Sequence, residues 1–285
     1  MKTKKQQLAM KSKPNCKINI GLNVMRKRQD GYHDLETVFM PVPLCDELEI
    51  ETADSFSFCQ EGNDLGCDTE DNIVVKAYRL MRREFGDRVG EVAIRLKKNI
   101  PHGAGLGGGS SDAAFTLMML NQLFSLGLDQ DQLRQLASQL GADCPFFIYN
   151  EPCFATGIGE ILTPLGFNPL QGLHLVLVKP DETVSTAEAY RGVVPRNLWE
   201  STSTSGLRTA IQAPVEQWRQ LVVNDFEESV FKSHPLLLTI KQRLYESGAI
   251  YAAMSGSGST IYGIFNHAVD KIEFHNSKIY NIHIQ

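Results

Sequence analysis

Residues 101–124, PHGAGLGGGSSDAAFTLMMLNQLF, place five glycines between Gly103 and Gly109, directly before a segment that is apolar on nearly every side. A helix that is apolar all round has to be buried, so the glycine loop leads into the core and is not a linker. Glycine has no Cβ to hold a ligand off the backbone. The unpaired N–H groups and positive dipole end at the start of the following helix attract negative charge. Together these features predict an anion site in which Ser110 and Ser111 cap the helix or donate to phosphate oxygens, with the Asp112 carboxylate near a bound cation. The alternative is a flexible loop with an ordinary serine cap.

The type of phosphate loop follows by exclusion. No Gly-Lys-Ser/Thr ends it, so it is not a Walker A motif. Gly103, Gly105 and Gly108 satisfy G-x-G-x-x-G. A dinucleotide fold, however, wants an acidic residue about 20 positions further on at a strand end, and Asp129 and Asp131 lie in a helix-capping stretch. The protein-kinase pattern would need Val where Ser110 stands, with His-Arg-Asp and Asp-Phe-Gly elsewhere; the chain has neither tripeptide.

The 285 residues, 42% of them hydrophobic, suffice for one large domain or two packed ones. The net charge of -5 without a basic stripe argues against nucleic acid as a partner. The cysteines (Cys16, Cys45, Cys59, Cys67, Cys144, Cys153) show no zinc-site spacing. The basic start MKTKKQQLAMKSK lacks an apolar signal core, and no window of about 18 uncharged apolar residues occurs. A cytoplasmic protein without a membrane partner is expected, its first residues a solvated tail.

CKINIGLNV (16–24) alternates apolar and polar residues and reads as a half-buried strand. RQDGYHD carries a turn signal, after which LETVFMPVP and DELEIE read as strands of an antiparallel meander. A helix is expected over about 72–85 and a strand at EVAIRLKKN. DQDQLRQLASQL reads as a helix capped by Asp129 or Asp131 and closed by Gly141, and GADCPFFIY as a turn into a strand. Later come a strand at GLHLVLVKP, a Ser/Thr-rich surface loop at 201–205, helices at about 214–222 and 235–247, and strand, turn, strand over GAIYAAMSGSGSTIYGIF. The mixture is α+β.

PHGAGLGGGSSDAA resembles the second motif of the GHMP kinases, and SGSGST (255–260) is similar to their third. PNCKINIGLNV followed by RQDGYHDLETVF resembles the first motif, in the branch that phosphorylates a cytidine diphosphate derivative for isoprenoid synthesis. The likeness runs from residue 14 to about 265. It implies a two-domain GHMP kinase fold: an N-terminal nucleotide domain like domain 2 of ribosomal protein S5 (1–167) and a C-terminal ferredoxin-like substrate domain (168–285). It also implies ATP and Mg²⁺ as the reaction's requirements, and a monomer or weak homodimer acting on small molecules.

The resemblance assigns Asp143 as the base facing the acceptor hydroxyl, assisted by Lys17. From spacing alone Asp143 is equally a turn residue before Pro145, and Lys17 a solvated strand lysine. ATP falls to Pro101, Gly103, Gly105, Leu106, Gly107, Gly108, Gly109, Ser110 and Ser111, with Lys98 and Asn72 on the adenine side; Asn72 and Asp71 also suit a helix cap. The acceptor falls to Asn19, Tyr32, His33, Thr186, Tyr190, Gly256 and Ser257, with the cytosine stacked on Tyr32 and Tyr190 on its other side. No certain metal ligand emerges. Two departures stand out: Ala104 occupies a glycine-favoured position, tolerable if its φ is negative, and 265–285 shows no helix where the family continues with one.

Overall fold

The computed structural model describes residues 8–63, 66, 68–196, 206–269 and 272–285; the expected 201–205 loop and most of the basic start lie outside these. Packing divides the chain into two units, each discontinuous in sequence.

The first unit holds residues 1–16, 44–102 and 107–150. Its sheet runs β1 (Ala9–Ser12), β4 (Glu47–Thr52), β6 (Val92–Lys98), β5 (Ser57–Gly62). Leu48 and Ile50 pair across to Leu96 and Ile94, and this period-2 apolar set is buried. Helix α1 (Ile73–Phe85) buries Val74, Val75, Tyr78 and Met81, and α2 (Gly108–Leu123), as expected, is buried along most of its length. Asp129, not Asp131, caps α3 (Gln130–Ser138), in a reciprocal capping box with Gln132. That helix ends before Gly141. GADCPFFIY does not turn into a strand: Cys144–Tyr149 forms helix α4, started by a proline in its first turn and closed by Asn150 in the left-handed conformation.

The second unit holds residues 17–43, 103–106 and 151–285. One sheet runs β2 (Asn15–Lys27), β3 (His33–Cys45), β7 (Cys153–Thr156), β8 (Ile161–Pro164). The other runs β10 (Tyr251–Met254), β11 (Ile261–Phe265), β9 (His174–Pro180), β12 (Ser277–His283). The expected meander is broken, because β3 pairs with β7 while β4 pairs with β1 and β6 in the first unit. Residues 277–283 form a strand on β9, in line with the missing helix pattern. Around these sheets lie α5 (Thr186–Gly192), α6 (Leu207–Ala210), α7 (Trp218–Leu221), α8 (Glu227–Ser233) and α9 (Pro235–Glu246). Strand β2 is not half-buried: Asn15 to Val24 are buried on both faces, which polar side chains tolerate only when hydrogen-bonded.

Among the described residues no helix is long and apolar enough to cross a membrane.

Candidate active site

The glycine loop has the backbone its composition predicts. Gly103, Gly105 and Gly107 stand at φ +60°, +72° and +68°, while Ala104 and Leu106 between them keep ordinary φ. Such alternation of hand turns successive N–H groups toward one side, a concavity suited to an anion. A Cβ on Gly105 would run into the Ser255 carbonyl, deep inside van der Waals contact, whereas one on Gly103 would meet nothing within 4 Å. Gly105→Ala is therefore expected to destabilise more than Gly103→Ala. Both carry the left-handed strain of about 1–3 kcal/mol, but only the former displaces backbone; equal melting temperatures for the two variants would contradict this.

In the first unit the start of α2 rests on buried charge. The Lys98 ammonium donates to Asp46 and, at 2.6 Å, to Asp112. All three residues are at most 3% exposed. Asp46 also accepts the N–H groups of Asn99 (2.6 Å) and Ile100 (2.8 Å). Burial opposes the Lys98 charge, but Asp112 and Asp46 together outweigh it and hold its pKa above the ordinary lysine value. Burial, reinforced by the like charge of Asp46 against the pull of Lys98, pushes Asp112 up to about 8. The cause is burial first, and it favours the protonated form of Asp112 at neutral pH. Asp112 turns inward to Lys98 instead of offering an open carboxylate for a cation. Among the described residues no cluster of three or more His, Cys, Asp or Glu could hold a metal. The buried Ser111 hydroxyl has no partner.

Other expected residues of this unit lie near the helix start. A Cβ on Gly108 would come 3.4 Å from the Lys98 nitrogen, and one on Gly109 3.7 Å from Ile73. Asn72 caps α1 by accepting from Val74 N–H (2.9 Å), and donates to Gln60 (3.1 Å). Pro101 is buried; Ser110 and Gly107 are half-buried and Gly109 exposed. Asp143 is half-buried at the start of α4 and makes no capping bond to it, so the helix start does not account for its side chain. Its neighbour Cys144 is no nucleophile, since burial pushes its thiol up to about 12.

In the second unit the polar face of β2 meets two glycine-rich segments. Lys17 donates from its ammonium to Asn19 Oδ1 (2.5 Å) and Gly105 O (3.3 Å), and from its backbone to Leu106 O (2.9 Å). Asn19 donates from its amide to Thr37 (3.0 Å) and from its backbone to the Ser255 hydroxyl (3.2 Å), which itself donates to Gly105 O (2.9 Å). Gly256 lies over this cluster: a Cβ there would approach Asn19 Oδ1 to 3.2 Å. The Thr186 and Ser257 hydroxyls are 3.2 Å apart. Lys17, Asn19, Gly105, Leu106, Gly256 and Ser257 are thus brought together. Tyr32 is 60% exposed. His33 and Tyr190 stack at 4.9 Å between centroids, so the two tyrosines do not stand ready as a base sandwich. Burial, with help from Lys27, lowers the His33 pKa.

Thr37, Asp46, Ser255 and Asn224 were not anticipated. Thr37 lies within β3, Asp46 between β3 and β4, Ser255 just after β10 and Asn224 between α7 and α8, and their long-range partners distinguish them.

Family models describing the GHMP kinases N terminal domain and GHMP kinases C terminal match residues 72–151 and 209–280. A 4-diphosphocytidyl-2-C-methyl-D-erythritol kinase of Bacteroides thetaiotaomicron is 50% identical over 256 residues, 88% of this chain and 90% of that protein. One from Cytophaga hutchinsonii is 42% identical over 270 residues, 95% and 97% of the two chains. A crystal structure of 4-(cytidine 5'-diphospho)-2C-methyl-D-erythritol kinase superposes with a TM-score of 0.75 at 35% identity, covering 90% of each chain. The Methanococcus jannaschii mevalonate kinase shares the fold, with a TM-score of 0.69 at 13% identity over 99% of this chain and all of that one. The three motifs, the α+β architecture and these likenesses agree, and the chain belongs to the 4-diphosphocytidyl-2-C-methyl-D-erythritol kinase family of the GHMP kinases.

Proposed function

We propose that the protein transfers the γ-phosphoryl group of ATP to the 2-hydroxyl of 4-diphosphocytidyl-2-C-methyl-D-erythritol, a step of non-mevalonate isoprenoid precursor synthesis. The observation that carries this is 42–50% identity, over most of the chain, to proteins bearing that activity's name.

Phosphoryl transfer needs positioning and charge neutralisation more than covalent chemistry. The loop 101–111 holds the ATP phosphates through N–H groups, with Pro101 and Leu106 as apolar packing and Asn72 toward the adenine. Lys98 serves the nucleotide through the helix start it anchors, its ammonium being engaged by two carboxylates. Mg²⁺ prefers hard oxygen and keeps phosphate ligands; the orphaned Ser111 hydroxyl fits a cation brought by ATP, which would neutralise phosphate charge. Asp143 takes the acceptor proton. Lys17, held by Asn19 and Gly105, polarises the hydroxyl. Tyr32 and His33 receive the cytosine with Tyr190 and Thr186 beside them, and Gly256 and Ser257 receive the acceptor's diphosphate. The protein works in the cytoplasm as a monomer or weak homodimer, with no nucleic acid or membrane as partner.

ATP consumption with Mg²⁺ is measured against 4-diphosphocytidyl-2-C-methyl-D-erythritol, mevalonate, homoserine and galactose. Turnover with the cytidine compound alone is expected. Turnover with another acceptor keeps a GHMP kinase and discards the cytidine pocket. Silence on all four leaves a nucleotide-binding protein without catalysis.

A further inference from the structure

Asn224 lies in the short connection between α7 and α8, 4% exposed, in a stretch with no expected role. Its amide nitrogen gives both hydrogens to carbonyls of the third glycine-rich segment, Met254 O and Gly256 O, each at 2.8 Å. Its oxygen accepts from Phe226 N–H at 3.0 Å. Both donors are thus used on the two residues that bracket Ser255.

The following residues complete a brace. Glu227 accepts the Met254 N–H (2.7 Å) and the Lys241 ammonium (2.5 Å). Asp225 accepts the Val24 N–H (2.8 Å) and a two-pronged contact from Arg196 (2.8 and 2.7 Å). Backbone bonds from Leu22 N–H to Val223 O and from Asp225 N–H to Leu22 O add two further ties to β2. Residues 224–227 therefore hold the strand that carries Lys17 and Asn19 and, at the same time, the turn that follows Met254.

A trans peptide is planar, with its C=O and N–H pointing in opposite directions. Pinning the Gly256 carbonyl to Asn224 therefore aims the Ser257 N–H the opposite way, away from Asn224. Gly256, at φ +58°, gives the backbone the freedom to adopt this turn. Without Asn224 that peptide plane could rotate and the N–H direction would be lost.

We propose that Asn224 is a positioning residue for phosphoryl transfer, which sets the Ser257 N–H to receive the diphosphate of the acceptor. This rests on the acceptor reading above. An Asn224→Asp replacement keeps the shape but loses both donors and sets a carboxyl oxygen against two carbonyl oxygens; Asn224→Ala removes the bonds without adding charge. In steady-state assays each variant is expected to raise KM for 4-diphosphocytidyl-2-C-methyl-D-erythritol by about tenfold or more, roughly the loss of one good hydrogen bond to a charged group, with KM for ATP unchanged. A lower melting temperature with both KM values and kcat per folded molecule unchanged would reduce Asn224 to a structural role and overturn the proposal.

If neither variant folds, the wild-type protein decides. In a ¹⁵N-resolved titration with cytidine 5'-diphosphate, the Ser257 amide is expected to shift with the saturation curve, and an unmoved Ser257 amide at saturation would overturn the proposal. Should the acceptor reading itself be wrong, wild type shows no turnover with the cytidine compound. A wrong assignment of Asn224 alone leaves wild type active and the variants kinetically normal.

Discussion

Asp143→Asn is expected to lower kcat by about 10²–10⁴-fold, the usual worth of a positioned general base, while the dissociation constant for MgATP stays within about twofold. The substitution preserves volume and one acceptor oxygen while removing the ability to take the hydroxyl proton. Asp143 begins α4 without capping it, and the proline in the helix's first turn is left in place. The melting temperature of the variant, measured alongside, separates a chemical loss from a folding loss. Single-turnover measurements with the cytidine substrate in excess place the effect on the chemical step. A kcat within a few-fold of wild type would remove Asp143 from the mechanism and leave Lys17 to be tested as the group that manages the proton.

The parts legible in the sequence are those written in local chemistry. Gly103, Gly105 and Gly107 announce left-handed backbone because glycine adopts it without the strain a Cβ brings, and the apolar run after them announces a buried helix. The Asp129–Gln132 capping box needs only four adjacent residues. What long-range pairing decides was not legible. Lys17, Asn19 and Asn23 alternate with apolar residues as if they faced water, yet Asn19 is buried because Thr37, Ser255 and Tyr262 supply its hydrogen bonds from elsewhere in the chain. Helix α4 was missed because FFIY suits a buried strand as well as a helix, and the choice fell to Pro145 and Asn150 at its two ends. Lys98 stood out by resemblance alone. Its carboxylate partners are 52 and 14 residues away, and nothing about a lone Asp46 between two strands signals a buried ion pair.

That ion pair gives the largest expected effect on stability. Lys98→Met removes the ammonium shared by Asp46 and Asp112 and leaves two carboxyl groups in a site less than 2% exposed on either carboxylate side chain. Breaking a buried pair by deleting one partner costs about 3–5 kcal/mol. At about 2–4 °C per kcal/mol for a chain of this size, the melting temperature should fall by roughly 6–20 °C. Asp112→Asn tests the charge state directly. With its folded pKa near 8 and its ordinary value 3.8, Asp112 holds a proton in the native protein that the unfolded chain releases between those values. Its contribution is complete below about pH 4, declines as pH rises and is gone above about 8. The melting-temperature difference, wild type minus Asp112→Asn, should therefore shrink from pH 5 to pH 9. A difference that stays flat or grows over that range would mean that Asp112 is ionised in the fold beside Lys98.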